Sequence, residues 1–441
     1  MPFVADFHIH SKYSRATSPD MDLEHMARGA RRKGIALLGT GDFTHPRWLA
    51  ELRAKLTPLG APINPGQAPI NPPINPGQAG QAPINPGQAG GNGLFTYEGV
   101  TWILTSEVNN IYSKNGKGRR VHNILFAPSL AVVEEIAKQL ARYGSLDVDG
   151  RPILSFPCSR MAELLRKISP EIAIVPGHAW TPHYSVFGAN SGFDSLEECF
   201  EDETGHIFAI ETGLSSDPLM NWRLSRLDPI ALISNSDAHS PAKIGREANV
   251  FECGMSYEEI MEALRTKDRA KFLMTYEFFP EEGKYHYDGH RDCGIVLSPE
   301  EALRGKNLCP ACGRKLTIGV AHRVEELADR SLDYHPDGAI PFKHLVPLDE
   351  ILSAALSVGT GSEAVARPYE TLVRDFGSEF EVLLRTPKDE IASCAGPKVA
   401  EAVMRVRRGQ VKVDPGYDGV YGKVRLFDAE EKAEKSQLGL F

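Results

Sequence analysis

Two short motifs in this chain are spaced to hold a metal. In His8-x-His10 both imidazoles fall on one side of a strand, because side chains alternate with period two, and Asp237-x-His239 repeats the arrangement far along the sequence. Between them stand Asp42, Glu107, His122 and His178. Neutral imidazoles mixed with several carboxylates suit Zn, Mn, Mg or Fe, in a cluster of two or three ions rather than one. Such a cluster lowers the pKa of bound water and offsets charge on a phosphoryl oxygen, so the chemistry expected is hydrolysis of a phosphate ester, with Asp237, His239 and Glu107 as candidate catalytic residues. No G-x-S-x-G, G-x-x-x-x-G-K-[ST] or G-x-G-x-x-G motif competes for the role, and no separate protein base is assigned.

The elements that must position these residues are short apolar runs: 3–9, 35–39, 101–105, 121–126, 172–175, 207–210 and 229–233. Amphipathic stretches at 21–32, 131–141, 219–227 and 257–264 lie between several of them. This alternation predicts an α/β fold with a parallel sheet, and nearly every predicted strand leads into a metal-capable side chain. In a parallel barrel the C-terminal strand ends open on one face, so ligands distant in sequence converge there; an open sheet gathers them only at its switch point.

From Lys284 onward the pattern changes. His290-x-x-Cys293 and Cys309-Pro-Ala-Cys312 are separated by 15 residues, and Gly313 follows the last cysteine. Paired two-residue gaps across a loop predict a tetrahedral structural zinc site, with His290 the fourth ligand ahead of His286 or Asp288. Cys158, Cys199, Cys253 and Cys394 have no such partners and read as small buried residues. Two basic patches stand out in an otherwise acidic chain. Lys114, Lys117, Arg119 and Arg120 lead into His122 with no acid between Ile111 and His122, and residues 398–412 carry five basic side chains, including Lys398, against one acid. The segment 387–403, with its single Gly396, is shaped like a helix-hairpin-helix that turns backbone N–H groups toward a phosphate. Both patches predict contact with a nucleic-acid backbone.

The ordered motifs Asp6-Phe-His-Ile-His-Ser11, Gly39-Thr-Gly-Asp-Phe43, Thr105-Ser-Glu107, Arg120-Val-His122, Pro176-Gly-His178 and Ser234-Asn-Ser-Asp-Ala-His239 resemble those of the PHP (polymerase and histidinol phosphatase) metallophosphoesterase family. That resemblance implies a distorted (β/α)7 barrel with a trinuclear metal site held by His8, His10, Asp42, Glu107, His122, His178, Asp237 and His239. Asp42 stands where many members have histidine, which leaves His45 as an alternative. Asn109-Asn-Ile-Tyr-Ser-Lys114, Ile210-Glu-Thr-Gly-Leu-Ser-Ser-Asp217, Gly283-Lys-Tyr-His-Tyr-Asp-Gly-His290 and His322-Arg-Val-Glu-Glu-Leu-Ala-Asp329 are similar to the endonuclease Q branch. This implies a repair nuclease that cuts single- or double-stranded DNA on the 5′ side of deaminated bases (uracil, hypoxanthine, xanthine) and abasic sites. An unstacked base then needs a pocket, for which Trp180, Tyr184 and Phe187, just past His178, are candidate walls. The alternatives are a phosphatase of small phosphate esters, against which the extra zinc and tail modules speak, and an inactive nucleic-acid-binding scaffold. The full ligand set speaks against a scaffold, because unused buried carboxylates and imidazoles are costly to keep.

The 441 residues are too many for one ordinary domain, and a net charge of −9 excludes a protein that binds nucleic acid through overall basicity. The expected division is a catalytic barrel over 1–275, a zinc module over 276–330 and a helical C-terminal region over 331–441. Near-copies of Pro-Ile-Asn-Pro-Gly-Gln-Ala between 61 and 93 predict a disordered insertion in the barrel. An odd cysteine count of 7, without a leading apolar run or a membrane-length span, predicts a reduced, cytoplasmic setting.

Overall fold

The computed structural model describes residues 1–60 and 91–427; most of the Pro-Gly repeat and the last 14 residues lie outside them. Seven strands contain or lead toward the metal-capable side chains: β1 (Phe3–Asp6), β2 (Leu37–Gly39), β3 (Val100–Lys114), β4 (Lys117–Ala127), β5 (Ala173–Pro176), β6 (Ala209–Glu211) and β7 (Ala231–Ile233), of which β6 and β7 form a two-stranded sheet of their own. β1, β2 and β3 run parallel, as do β6 and β7. The expectation of a parallel sheet fails in the middle. β4 is antiparallel to both β3 and β5, and a further strand, Ala248–Phe251, is antiparallel to β1. The local reason is the Asn115-Gly116 pair, with φ of 53° and 74°, which turns the chain straight back on itself.

Two sets of contacts bring the strand ends together. Ile9 bridges Ala238 in parallel, joining the end of β1 to the end of β7, and Ala179 N–H donates to the Glu211 carbonyl at 2.9 Å, joining β5 to β6. Asp6 lies beneath the first junction and accepts from the backbone N–H groups of Ser236 and Gly245.

Helices Leu23–Lys33, Leu130–Leu140, Cys158–Ile168 and Tyr257–Thr266 bury their apolar faces against the strands. Asp22, Ser129 and Ser256 each cap a helix by accepting from a first-turn N–H. The strand Phe342–His344 pairs with Phe272–Glu277, so the chain beyond the cysteine-bearing segment returns to the main sheet. Five helices follow, Leu348–Leu356, Glu363–Phe376, Glu379–Leu384, Lys388–Ala395 and Pro397–Arg407. They are fastened to the core by a buried ion pair in which Lys33 Nζ lies 2.6 Å from Glu379, whose carboxylate also accepts from Leu348 N–H and Tyr369 O–H. Removing one partner strands the other charge in the interior. Lys33→Met should therefore cost about 3–5 kcal/mol, read as a lower melting temperature with the first loss of protection in the C-terminal helices. A melt within a degree of wild type would show that the pair carries no such weight.

Candidate metal centre

The strand ends deliver the ligands. His8 and His10 follow β1, His178 follows β5, and Asp237 and His239 follow β7. Glu107 and His122 instead lie inside β3 and β4, where residues two apart across the antiparallel register share a face. His122 Nδ1 is 2.6 Å from Glu107 Oε1, and His178 Nε2 is 3.1 Å from the same oxygen. His10 Nε2 is 2.9 Å from Asp237 Oδ1, and the ring of His239 lies 4.5 Å from that of His10. Three overlapping groups result: His8, His10 and Glu107; His10, Asp237 and His239; and Glu107, His122 and His178. In each, the ligand atoms lie within 4.8 Å of one another, and Glu107 and His10 are each shared by two groups.

Two observations suit this centre to cations. His8 Nε2 and Glu107 Oε2 are buried without a hydrogen-bond partner, a costly arrangement unless something else satisfies them. The donor set, imidazole nitrogen with carboxylate oxygen, is that of a transition-metal or magnesium-class site. In the protein alone the charges lean on one another. Burial pushes the Glu107 carboxyl up, but the imidazoles of His122 and His8 overcome it and hold the group well below its usual range. His8 shows the mirror image: burial opposes its protonation, and Glu211, Glu107 and Asp237 raise it well above the ordinary histidine value. Asp42, His178 and Asp237 also hold positive φ values of 48°, 30° and 47°, strained positions of the kind that collect at functional sites.

Asp42 is not among the converging ligand atoms. Its Oδ2 accepts from Ser11 N–H and Oγ–H, both at 2.7 Å, and from Ser14 Oγ–H, while Oδ1 faces His10 Nδ1 at 3.2 Å. It therefore stands behind His10 and orients the ring. Nor does His45 join the centre, since it stacks on Tyr13 and its Nε2 meets the Asp147 carbonyl. The matching support for His8 is Glu211, which no spacing pointed out. Both of its oxygens lie 3.0 Å from His8 Nδ1, and it also accepts from His178 N–H and Asn235 Nδ2–H. Such partners fix the tautomer and direct the other nitrogen forward. Glu211→Gln should lower metal affinity or turnover about 10–100-fold, measured by metal titration of the purified variant. Unchanged affinity and turnover would make Glu211 a packing residue.

Arg151 was also missed. The pairing of Asn109 with Ile153 sets it level with Glu107, and its Nε lies 3.8 Å from Glu107 Oε2. The expected base-pocket walls divide. Trp180 and Phe187 are fully buried against each other, with Trp180 Nε1–H donating to Asn221, so both belong to the core. Tyr184 is half-buried over His122 with Arg120 on its ring. Of the basic hairpin, Lys114 is paired with Glu201, and Arg119 is bonded to the Gly192 carbonyl and stacked on Phe193, whereas Lys117 and Arg120 are exposed. Gly396, at φ 92°, joins helices Lys388–Ala395 and Pro397–Arg407, and Lys398 lies in the first turn of the second with its ammonium over Phe427.

The second metal-capable group is His290, Cys293, Cys309 and Cys312, whose four ligand atoms lie within 4.8 Å of one another. Cys312 Sγ is 3.5 Å from His290 Nδ1, and Gly313, at φ 72°, closes the cysteine turn. The rival ligands are placed elsewhere: Asp288 accepts from Gly319 N–H and binds His322, and burial pushes His286 down to about 4.

Over its whole length this chain is similar to a lesion-specific endonuclease from Pyrococcus furiosus, with 32% identity, a TM-score of 0.82 and 99% of that chain covered. The chain belongs to the endonuclease Q family. A second member, an endonuclease Q solved with a 27-mer duplex substrate carrying an abasic lesion at its active site, matches at 33% identity and a TM-score of 0.80, with 98% of each chain covered. The MJ0043 C-terminal domain family model matches residues 347–410, the stretch that holds the last five of the helices described above. Two uncharacterized proteins are also similar. YqxK of Bacillus subtilis is 28% identical over 96% of this chain and 98% of its own length. MJ0043 of Methanocaldococcus jannaschii is 33% identical over 56% of this chain, which spans 31% of that longer protein.

Proposed function

We propose that this endonuclease Q family member is a metal-dependent DNA repair endonuclease that hydrolyses the phosphodiester on the 5′ side of deaminated bases and abasic sites. The observation that carries the reading is the convergence of three ligand groups, joined through His10 and Glu107, in a chain that matches a lesion-bound endonuclease Q from end to end. Bound divalent ions, held by His8, His10, Glu107, His122, His178, Asp237 and His239, would generate hydroxide near neutral pH and offset charge on the phosphate. The protein's own part is positioning. Glu211 and Asp42 hold the two leading imidazoles from behind, and the burial of Glu107 keeps bulk water from its oxygens.

In this reading DNA meets the exposed Lys117 and Arg120 beside His122, and the Gly396–Lys398 helix start holds backbone phosphate further along the duplex. The zinc module of 276–330 and the helices of 331–441 serve as the duplex-holding parts around a catalytic unit of 1–275. A cleft of about 640 Å³, lined by Thr181, Pro182, Arg246, Phe278, Glu282 and Tyr421, is the better candidate for an unstacked base than the buried Trp180. Arg246 ties it to the centre, its Nε–H donating to the Ser236 carbonyl at 2.8 Å, next to Asp237.

The test uses end-labelled duplexes with a single uracil, hypoxanthine or abasic site, an undamaged control and a chelated sample. Metal-dependent nicking just 5′ of the lesion is expected. An intact, metal-loaded protein that leaves all of them whole would overturn the reading.

A further inference from the structure

We infer that Arg151 is a catalytic residue that donates hydrogen bonds to the non-bridging oxygens of the scissile phosphate; the inference rests on the endonuclease reading above. The side chain stands at the rim of the centre, 23% exposed, with Nε 3.8 Å from Glu107 Oε2, too far for a hydrogen bond. Among the described residues its side chain makes one hydrogen bond, a long one of 3.4 Å to the Arg15 carbonyl. Most of its five N–H donors are therefore free for a ligand.

The backbone that presents it is built tightly. Asp149 accepts from Arg151 N–H at 3.1 Å and Arg15 N–H at 3.3 Å, and Gly150 N–H donates to the Tyr13 carbonyl. A Cβ on Gly150 would come within 2.3 Å of both Asp42 Oδ2 and Ser14 Oγ, so only glycine passes there, and Ile153 pairs with Asn109 just beyond. A guanidinium facing carboxylates would ordinarily be read as their counter-charge. Under the proposed function, bound cations would be the counter-charge of Glu107 and Asp237, and a further positive group held before them would be favourable only with an anion in the site. The planar fork matches two phosphate oxygens at once, which an ammonium cannot do. Arg151 makes no covalent bond and passes no proton in this role.

The experiment compares wild type, Arg151→Ala and Arg151→Lys on the abasic duplex under single-turnover conditions, with DNA affinity and bound metal measured on the same samples. Arg151→Ala should cut about 10²-fold more slowly, with metal content and affinity little changed, and added guanidinium should restore part of the rate. Arg151→Lys should lie between. Cutting at the wild-type rate, a loss that tracks lost metal or lost DNA binding, or a loss that guanidinium leaves unrelieved would each overturn the contact. Failure of the wild type itself to cut would overturn the endonuclease reading and this inference with it.

Discussion

Asp237→Asn protein should bind a lesion-bearing duplex nearly as well as wild type and cut it at least about a thousandfold more slowly, several kcal/mol of lost stabilisation of the reacting phosphate. The reasoning starts from position. Asp237 sits where the end of β7 crosses the end of β1, its φ of 47° aiming the carboxylate inward. Oδ1 lies 2.9 Å from His10 Nε2 and 3.7 Å from His8 Nε2, so one oxygen reaches toward two of the three ligand groups. The amide keeps the shape and removes the charge. Its side chain is 28% exposed and is no part of the apolar core, so the fold has little stake in it. Asp237→Ala should behave alike. Equal losses of cleavage and thermal stability would instead make Asp237 a structural residue, and cleavage within tenfold of wild type would remove it from the centre.

The same geometry explains which parts of the site were legible in the sequence. His8 and His10 are legible as an x-spaced pair beyond a strand end, and Asp237 and His239 by type and the same spacing, although the φ of 47° at Asp237 takes that residue out of strand geometry. Glu107 is legible by type but not by its mid-strand setting, since nothing in a one-dimensional pattern shows that Val100–Lys114 runs on for 15 residues before turning back, whereas His122 already falls within the predicted run 121–126. Asp42 was read as a ligand because it follows β2; Ser11 and Ser14, which occupy it, are distant neighbours that only the fold brings near. Glu211 stood inside a stretch singled out for resemblance, Ile210-Glu-Thr-Gly, yet a lone glutamate after a short strand carries no spacing signal. Arg151 carried none either, because its role comes from a parallel pairing two residues downstream. Trp180 erred the other way: an aromatic after a ligand looks like a pocket wall until its indole is found bonded to Asn221 inside the core.

For the cysteine cluster the expected effect is on stability rather than on rate. The segment around it has little to fold with: Ala302, Cys309 and Leu316 are buried, with Cys293, Ile295 and Leu297 packed against them. The strands Asp288–His290 and Ile295–Leu297 form a two-stranded hairpin, which is marginal in water without further support. A zinc ion on His290, Cys293, Cys309 and Cys312 would supply that support, because an ion that binds only the folded ligand set adds its binding free energy to folding, about 10–16 kcal/mol for structural zinc. Cys309→Ser removes the buried ligand whose N–H and carbonyl also close the turn with Arg314 and Gly313. The variant should lose one zinc per chain, and proteases should cut between 288 and 316, while metals on the histidine-rich centre stay bound. A Cys309→Ser protein that keeps its full zinc content and resists proteolysis as wild type does would show that the four residues hold no ion. Loss of this zinc together with the metals of the other centre would mean that the two sites fold as one unit. The return of Phe342–His344 to the main sheet is what keeps them separate here: the chain is anchored on both sides of the cysteine cluster, at Phe272–Glu277 and again at Phe342–His344, so the segment between can unravel without pulling the ligand-bearing strands apart.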